Sequence, residues 1–137
     1  MFSSGRPLTV LYRGMTADED GWPLLGATRR TLGAIRNVDI PVAANGTVSP
    51  QTGGMSVAPD DPYNLPRHRR PPAFDGTGPD PVFVISEEFI GPDLAYRPDP
   101  ARPARHGFVE PARTMPFEQY QRALWASREA WDTVSKP

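Results

Sequence analysis

The sequence contains no cysteine, which excludes disulfide bonds, thiolate metal sites and cysteine nucleophiles. Only two histidines are present, His68 and His106, and they do not have the spacing of a two-histidine zinc motif. No run approaches the ~20 apolar residues that span a bilayer, and the first residues lack the apolar core of a signal peptide. We therefore expect no metal, no membrane association and folding in the cytoplasm of the producing cell. Delivery to the cytoplasm of a target cell would need a route other than a cleaved signal.

The sequence also lacks an excess of charge of either sign. Its 15 basic and 16 acidic residues give a formal net charge of −1 at pH 7. No global field would concentrate such a chain on nucleic acid or on an anionic membrane, so the net charge argues against nucleic-acid binding. Lys136 is the only lysine, and the other 14 basic residues are arginines.

Proline and glycine, in contrast, are abundant. The 18 prolines and 12 glycines make up about 22% of the 137 residues, against an average of about 12%. Many turns and surface loops are expected, and an all-helical bundle or a coiled coil is excluded. The length suits a single domain over 1–137. Two stretches rich in proline, glycine and arginine, at 58–81 and 97–105, predict long loops within it.

Short apolar and β-branched runs predict the strands. They lie at 8–13, 82–85 and 106–111, and the segment 48–57 predicts a turn followed by a strand. The run at 82–85 is continuously apolar, as in strands that are buried on both faces.

Two helices are expected. The first covers 24–36, where the apolar residues share one face despite two glycines. The second begins at Pro116 and carries Glu118 in its first turn. This combination of strands and helices is typical of the α+β class. The apolar face of the second helix, expected in the core, is Phe117, Tyr120, Leu124, Trp131 and Val134.

Two features near the amino-terminal strands suit a ligand. Arg13 ends the first strand, where its guanidinium either clamps a phosphate or leaves the sheet as a surface arginine. The segment 52–56 offers backbone N–H groups and two hydroxyls to a ligand, or forms an ordinary turn. It lacks the lysine and the glycine spacing of the known phosphate-binding loops.

Two further features lie later in the chain. His106 and Glu110 are four residues apart on an expected strand, which places both side chains on one face. The carboxylate either stabilises a developing cation or forms a salt bridge at the strand end. The basic cluster at 67–70 stands alone in a neutral chain, which favours a solvated loop over a binding site.

Taken in order, these segments resemble the Tse2-like toxin family, which has the ADP-ribosyltransferase fold. The resemblance rests on 11–13, 48–57, 82–85, 106–115 and the C-terminal helix, and it leaves out the long loops. It implies an α+β fold with a split, mostly antiparallel β-sheet core and flanking helices. It also implies that NAD lies in a cleft of that sheet.

In this fold an arginine or histidine on the first strand binds the dinucleotide. A strand with serine or threonine follows, and a later strand supplies a glutamate. The resemblance therefore assigns catalysis to Glu110 and Ser56, with Glu87 and Glu88 as further candidates for the carboxylate. NAD is implied as a substrate, with no metal. The residues assigned to NAD binding are Tyr12, Arg13, Thr52, Gly53, Gly54 and His106.

The resemblance implies a cytotoxic effector that binds NAD and transfers ADP-ribose to an intracellular target or hydrolyses NAD. A cognate immunity protein and a macromolecular target of unknown identity are implied as partners. Two alternatives remain open. In the first alternative, the chain is a toxin of the same fold that has lost catalysis and acts by binding a partner. In the second, it is an interaction protein that docks through its proline-rich loops and aromatic C-terminal helix.

Overall fold

The structure is a computed structural model and describes residues 7–135. It has an antiparallel β-sheet and, within the described residues, one α-helix, so the α+β class is confirmed. The helix, α1, spans Phe117–Ala126. The strands, in chain order, are β1 (Val10–Gly14), β2 (Thr47–Val48), β3 (Met55–Pro59), β4 (Val82–Ser86), β5 (Leu94–Pro98), β6 (Gly107–Pro111), β7 (Met115–Pro116) and β8 (Asp132–Thr133).

The main sheet has six strands in the order β5-β6-β3-β1-β4-β8, and each neighbouring pair is antiparallel. β2 and β7 pair in a separate two-stranded ladder. The central junction is short, because β1 and β3 pair at two positions, Leu11↔Pro59 and Tyr12↔Ala58. After Tyr12 the two strands part. The sheet therefore consists of two three-stranded halves that are joined at its centre by two residue pairs.

One face of the sheet packs against α1 and forms the main core. Alternation along the strands places Leu11, Val57 and Phe83 on this face, where they join Tyr120 and Leu124 of α1. The opposite face carries a smaller cluster that is covered by the segment after β3. Its buried members are Ala58, Leu65, Phe74 and Val82.

The expected flanking helices are wrong, because α1 is the one α-helix of residues 7–135. The segment 24–36, predicted to be helical, forms turns and a bridge between Leu25 and Leu32. The reason is a close backbone contact between two glycines. Gly33 has a φ of +152°, and a Cβ there would lie 1.7 Å from the carbonyl oxygen of Gly26. Helical periodicity in the apolar residues therefore did not indicate a helix.

The C-terminal helix is confirmed, but it is shorter than its apolar pattern. α1 begins directly after Pro116, as expected, and ends before Trp131 and Val134. Trp131 is 1% exposed and follows a 3-10 turn. It fits the apolar pattern because it is buried in the core, although it is not part of the helix. Neither α1 nor any 3-10 turn within residues 7–135 has the length and apolar character of a membrane-spanning helix.

The predicted strands are found, and β5 is an addition. Leu94–Pro98 ends inside the predicted loop 97–105, so the sequence pattern missed a strand that pairs with β6 along its whole length. The predicted loop 58–81 begins within β3. It then forms three short 3-10 turns, at Pro62–Asn64, Arg67–Arg69 and Pro72–Phe74.

Tyr120 connects α1 to the half of the sheet that contains β3 and β6. Its hydroxyl donates to the carbonyl oxygen of Val109 at 2.5 Å and accepts from the N–H of Met55 at 3.0 Å. The side chain is fully buried, and this burial raises the pKa of the phenol far above its usual value. The neutral hydroxyl therefore satisfies two backbone groups that water cannot reach.

We predict that Tyr120→Phe lowers the free energy of unfolding by about 2 kcal/mol, because it leaves a buried N–H and a buried C=O without partners. Tyr63→Phe is the matched control. The Tyr63 ring is 41% exposed, and its hydroxyl has no hydrogen bond to another described residue. We expect the control to change stability by less than about 0.5 kcal/mol. Urea unfolding followed by tryptophan fluorescence measures both values, and equal losses would contradict the role given to Tyr120.

Candidate functional site

A cleft of about 430 Å³ opens where β1 and β3 part. Its floor includes the end of β1 and three residues of β3, and its walls are the segments 63–70 and 102–106. Seven of the 13 arginines in residues 7–135 line it, together with His68 and His106. Asp39 is the one carboxylate in its lining among the described residues. We call this site the arginine cleft, and its arginines are Arg13, Arg29, Arg67, Arg69, Arg70, Arg102 and Arg105.

Arg13 is buried at the floor of the arginine cleft and is 6% exposed. Its Nε and Nη2 donate to the carbonyl oxygen of Thr31 at 3.2 and 2.9 Å. Nη2 also donates to Thr28 O at 3.3 Å, and Nη1 donates to Ser56 O at 2.8 Å. Burial lowers the pKa of Arg13 to about 10, so the side chain stays cationic at neutral pH. Four of its five N–H groups are engaged. Too few remain for the bidentate phosphate clamp that the sequence suggested.

Arg13 and Ser56 both line the arginine cleft, although their side chains leave the sheet on opposite faces. Arg13 pairs with Phe83 of β4 and shares the face that packs against α1. Ser56 pairs with Phe108 of β6, and strand alternation places it on the face opposite to Val57. The two residues meet because the Arg13 guanidinium extends into the gap between β1 and β3. Its contact there is the backbone carbonyl of Ser56, not the hydroxyl.

The two walls of the cleft are held in place by prolines and by one asparagine. Pro66 and Pro71 flank the basic segment 67–70, and proline fixes φ before any ligand binds. Asn64 lies in one wall, and its Nδ2 donates to Ala104 O in the other wall at 3.1 Å and to Pro59 O at 2.9 Å. The arginines on the two walls are therefore presented from an organised backbone.

Five of the seven arginines make no side-chain hydrogen bond or ion pair with another residue of 7–135. Arg70 differs, since it donates to Leu65 O and Phe74 O and lies over the ring of Tyr63 at 5.2 Å from its centroid. The charge of the five is therefore available to a ligand. They are Arg29, Arg67, Arg69, Arg102 and Arg105.

His106 lies at the mouth of the cleft, one residue before β6. Its Nδ1 is 2.8 Å from Oδ2 of Asp99, and its ring stacks edge-on against Phe108 at a centroid distance of 4.9 Å. The bond to His106 holds the pKa of Asp99 below its usual range. Because the carboxylate accepts, Nδ1 carries the hydrogen in neutral His106 and Nε2 is left as an acceptor.

Asp39 is positioned by the glycine pair that the sequence assigned to NAD. Gly54 N–H donates to Asp39 O at 2.8 Å, and a Cβ on Gly53 would lie 2.4 Å from that same oxygen. Gly53 and Gly54 thus accommodate the protein's own backbone rather than a ligand. The Asp39 side chain accepts from Ile35 N–H at 2.6 Å through Oδ2. The carboxylate is half-buried, and its charge acts on nearby Arg13.

Glu110, predicted to be the catalytic glutamate, is not part of the cleft lining among the described residues. It is 6% exposed, and its Oε1 accepts from Arg97 Nε at 2.8 Å and from Gln51 N–H at 2.9 Å. It therefore forms the salt bridge that was its alternative interpretation. The further candidates, Glu87 and Glu88, lie in a 3-10 turn after β4 and are likewise outside the cleft lining.

The structure also separates Tyr12 and Thr52 from the site. Tyr12 packs partly buried against the smaller apolar cluster. Thr52 is exposed, and its hydroxyl donates to Ser49 O at 2.7 Å. Of the residues predicted to bind NAD or catalyse, the structure brings three together in the arginine cleft: Arg13, Ser56 and His106.

Sequence reasoning missed Asp39, which belongs to no motif, and it set aside the arginines of the two long loops. The sequence did point to these arginines, because both loops combine proline with several arginines. What the sequence did not reveal was that the two loops face each other across the parted strands.

Comparison with protein-family models, curated proteins and solved structures gives no match. In the part of the chain that the structure describes, no group of three or more acidic and histidine side chains is placed to hold a metal ion. The function of the arginine cleft must therefore follow from its own side chains.

We predict that Arg13→Ala lowers the free energy of unfolding by about 3 kcal/mol, because charged hydrogen bonds from a buried guanidinium to three carbonyls are lost. Arg13→Lys should recover part of this loss, since it keeps the charge but not the planar fork. Arg29→Ala is the control in the same cleft, exposed and without a side-chain partner in 7–135, and should change stability by less than about 0.5 kcal/mol. Chemical denaturation measures all three, and an Arg13→Ala protein as stable as the parent would show that the carbonyl contacts are not structural.

Proposed function

We propose that the arginine cleft binds NAD and that the protein transfers ADP-ribose from it to a target or hydrolyses it. The observation that carries this proposal is the charge of the cleft: seven arginines and two histidines against one carboxylate. A concave site of this sign selects an anionic ligand, and its volume of about 430 Å³ lies in the usual range for small-molecule and cofactor sites.

The pyrophosphate of NAD is the part of the ligand that such a cleft would hold. Arginine donates several N–H groups in one plane and binds phosphate oxygens in pairs. Arg69 is best placed for this role, because it is half-buried, lies against the end of β1 and makes no side-chain hydrogen bond or ion pair in 7–135. Arg13 contributes a fixed buried charge and holds the floor in position. This arrangement of charge supports the proposal of NAD binding independently of the family resemblance.

The proposed reaction breaks the bond between the nicotinamide nitrogen and C1 of its ribose. The bonding electrons leave with nicotinamide, which departs neutral, and positive charge develops on the ribose. A fixed carboxylate near that ribose stabilises the transition state more than the ground state. A nucleophile of the target, or water, then bonds to C1 and gives up its proton. Asp39 is the carboxylate that the cleft supplies, and we assign this role to it in place of Glu110.

A second candidate function is a non-catalytic toxin that acts by binding a partner. The observation that favours it is the position of Glu110, which forms a salt bridge with Arg97 outside the cleft lining. In both cases we propose, from the family resemblance, an intracellular target and a cognate immunity protein.

We predict that NAD binds in the arginine cleft and that nicotinamide is released. Arg69→Gln should weaken NAD binding at least about 10-fold, since a charge-assisted hydrogen bond contributes roughly 1.5–3 kcal/mol. Arg122→Gln, an exposed arginine outside the cleft, is the matched control. Asp39→Asn should keep the acceptor for Ile35 N–H yet slow nicotinamide release by about 10²–10³.

Calorimetric titration and a nicotinamide-release assay test these variants, and Glu110→Gln is assayed beside them, well below its melting temperature. Absence of NAD binding by the parent would refute the proposal. Loss of activity in Glu110→Gln but not in Asp39→Asn would return the catalytic role to Glu110. Binding without release in the parent would support the non-catalytic alternative.

We predict that expression of the chain in a bacterial cytoplasm arrests growth. The reason is chemical, since depletion of NAD or modification of an essential target needs only slow turnover. Arg69→Gln, expressed to the same level, should restore most of the growth. Normal growth while the folded parent protein accumulates would contradict a toxin. Arrest by parent and Arg69→Gln alike would indicate toxicity through partner binding.

A further inference from the structure

The arginine cleft holds more cationic groups than a dinucleotide can neutralise. NAD offers its pyrophosphate, a single pair of anionic groups, whereas five arginines of the cleft make no side-chain hydrogen bond or ion pair within residues 7–135. Like charges this close repel one another, so the excess destabilises the protein in the absence of a ligand. Four of the five are exposed. Arg67 lies on one wall, Arg102 and Arg105 lie on the other, and Arg29 lines the cleft outside both walls.

We propose that the arginine cleft binds single-stranded nucleic acid along these walls. We assign to that strand the role of the macromolecule that receives ADP-ribose, and this part of the inference rests on the proposed function. A strand presents regularly spaced phosphates, which match guanidinium groups on both sides of a groove.

An aromatic platform lies in the same wall as the basic segment. The Tyr63 ring is 41% exposed and lines the cleft, and Arg70 lies over it with Cζ 5.2 Å from the ring centroid. Aromatic rings between cationic groups are the usual means by which proteins stack the bases of single strands. Tyr63 would contribute stacking while the arginines contribute charge.

The backbone that carries the arginines is organised before binding. Arg67 O accepts from Thr77 N–H at 3.0 Å, and Arg70 O accepts from Gly78 N–H at 2.8 Å, which folds the basic segment against the end of its own loop. Asn64 joins the two walls through Ala104 O. An organised groove loses little conformational entropy when it binds a ligand, so less of the free energy of the charge contacts is offset and the affinity is higher.

An acidic protein is the competing polyanion, and the shape of the site argues against it. The five arginines line a concave cleft rather than a flat surface, and a flexible linear polyanion fits into such a cleft better than a folded domain. The exposed part of Tyr63 also offers a stacking surface to a base, which an acidic protein would not use.

The test is fluorescence anisotropy with labelled U and dT oligomers of about 12 nucleotides, within the usual site size for single-strand binding. We expect the logarithm of the association constant to fall linearly with the logarithm of the salt concentration. Each phosphate contact should contribute about 0.7 to the magnitude of that slope. The triple variant Arg67→Gln, Arg102→Gln, Arg105→Gln should lose about 2 units of that slope and at least about 10-fold in affinity. None of these side chains makes a hydrogen bond or an ion pair with another residue of 7–135, and their mutual repulsion is removed, so the melting temperature should not fall.

The control triple is Arg36→Gln, Arg113→Gln, Arg122→Gln. It removes the same charge from exposed arginines outside the cleft, two of which pair with Glu118 and Asp93. We expect it to keep most of the affinity and the slope. Comparison of the U and dT oligomers identifies whether RNA or DNA is preferred.

Three results would overturn the inference: no binding of either oligomer, equal losses in the two triple variants, or tighter binding of a polyglutamate peptide of the same length, which would indicate an acidic protein partner. NAD titrated into the same parent protein separates the two proposals. NAD binding without oligomer binding overturns this inference alone. Oligomer binding without NAD binding supports the groove but overturns the proposed function and, with it, the acceptor role.

Discussion

The buried Arg13 guanidinium connects the parts of the chain that form the candidate site. It sits where β1 and β3 part and donates to carbonyls of Thr28, Thr31 and Ser56, which belong to two segments distant in sequence. A buried cation held by neutral carbonyls is costly unless every donor is well placed. The position of the 28–31 turn and the opening of the sheet are therefore coupled. Without this contact the parted strands would expose carbonyls rather than enclose a cleft.

The strands were predictable because their apolar runs are short and are bounded by proline and glycine. The closing helix was predictable from its proline start and its apolar face. The prediction of a helix at 24–36 was wrong because the backbones of Gly26 and Gly33 are in close contact. The periodicity of the local sequence does not reveal such a tertiary contact. β5 was missed for a related reason: Tyr96 and Arg97 lie in a strand that its partner β6 defines, between prolines that suggested a loop.

The candidate site shows the same division between local and tertiary information. Arg13, Ser56 and His106 were identified from the residue pattern together with the family resemblance, and all three line the arginine cleft. The carboxylate of the cleft was not identified. Glu110 pairs with Arg97 instead, and Asp39 lies in a turn that carries no recognisable motif. The arginines of the two loops were visible in the composition, but their meeting depends on how the chain folds back after β3 and β5. Residue type identified the candidate groups, and topology decided which of them share a site.

The concentration of arginine at one cleft has a consequence for how ligands arrive. Within residues 7–135, seven of the 13 basic residues but one of the 16 acidic residues line the cleft, so the other described residues include six basic and 15 acidic ones. A molecule that is nearly neutral in total is thus strongly dipolar. Anions that approach from most directions are repelled, while those that approach the cleft are attracted, and this field orients the encounter before contact. Association should then be fast at low ionic strength and fall steeply once the Debye length becomes shorter than the molecule.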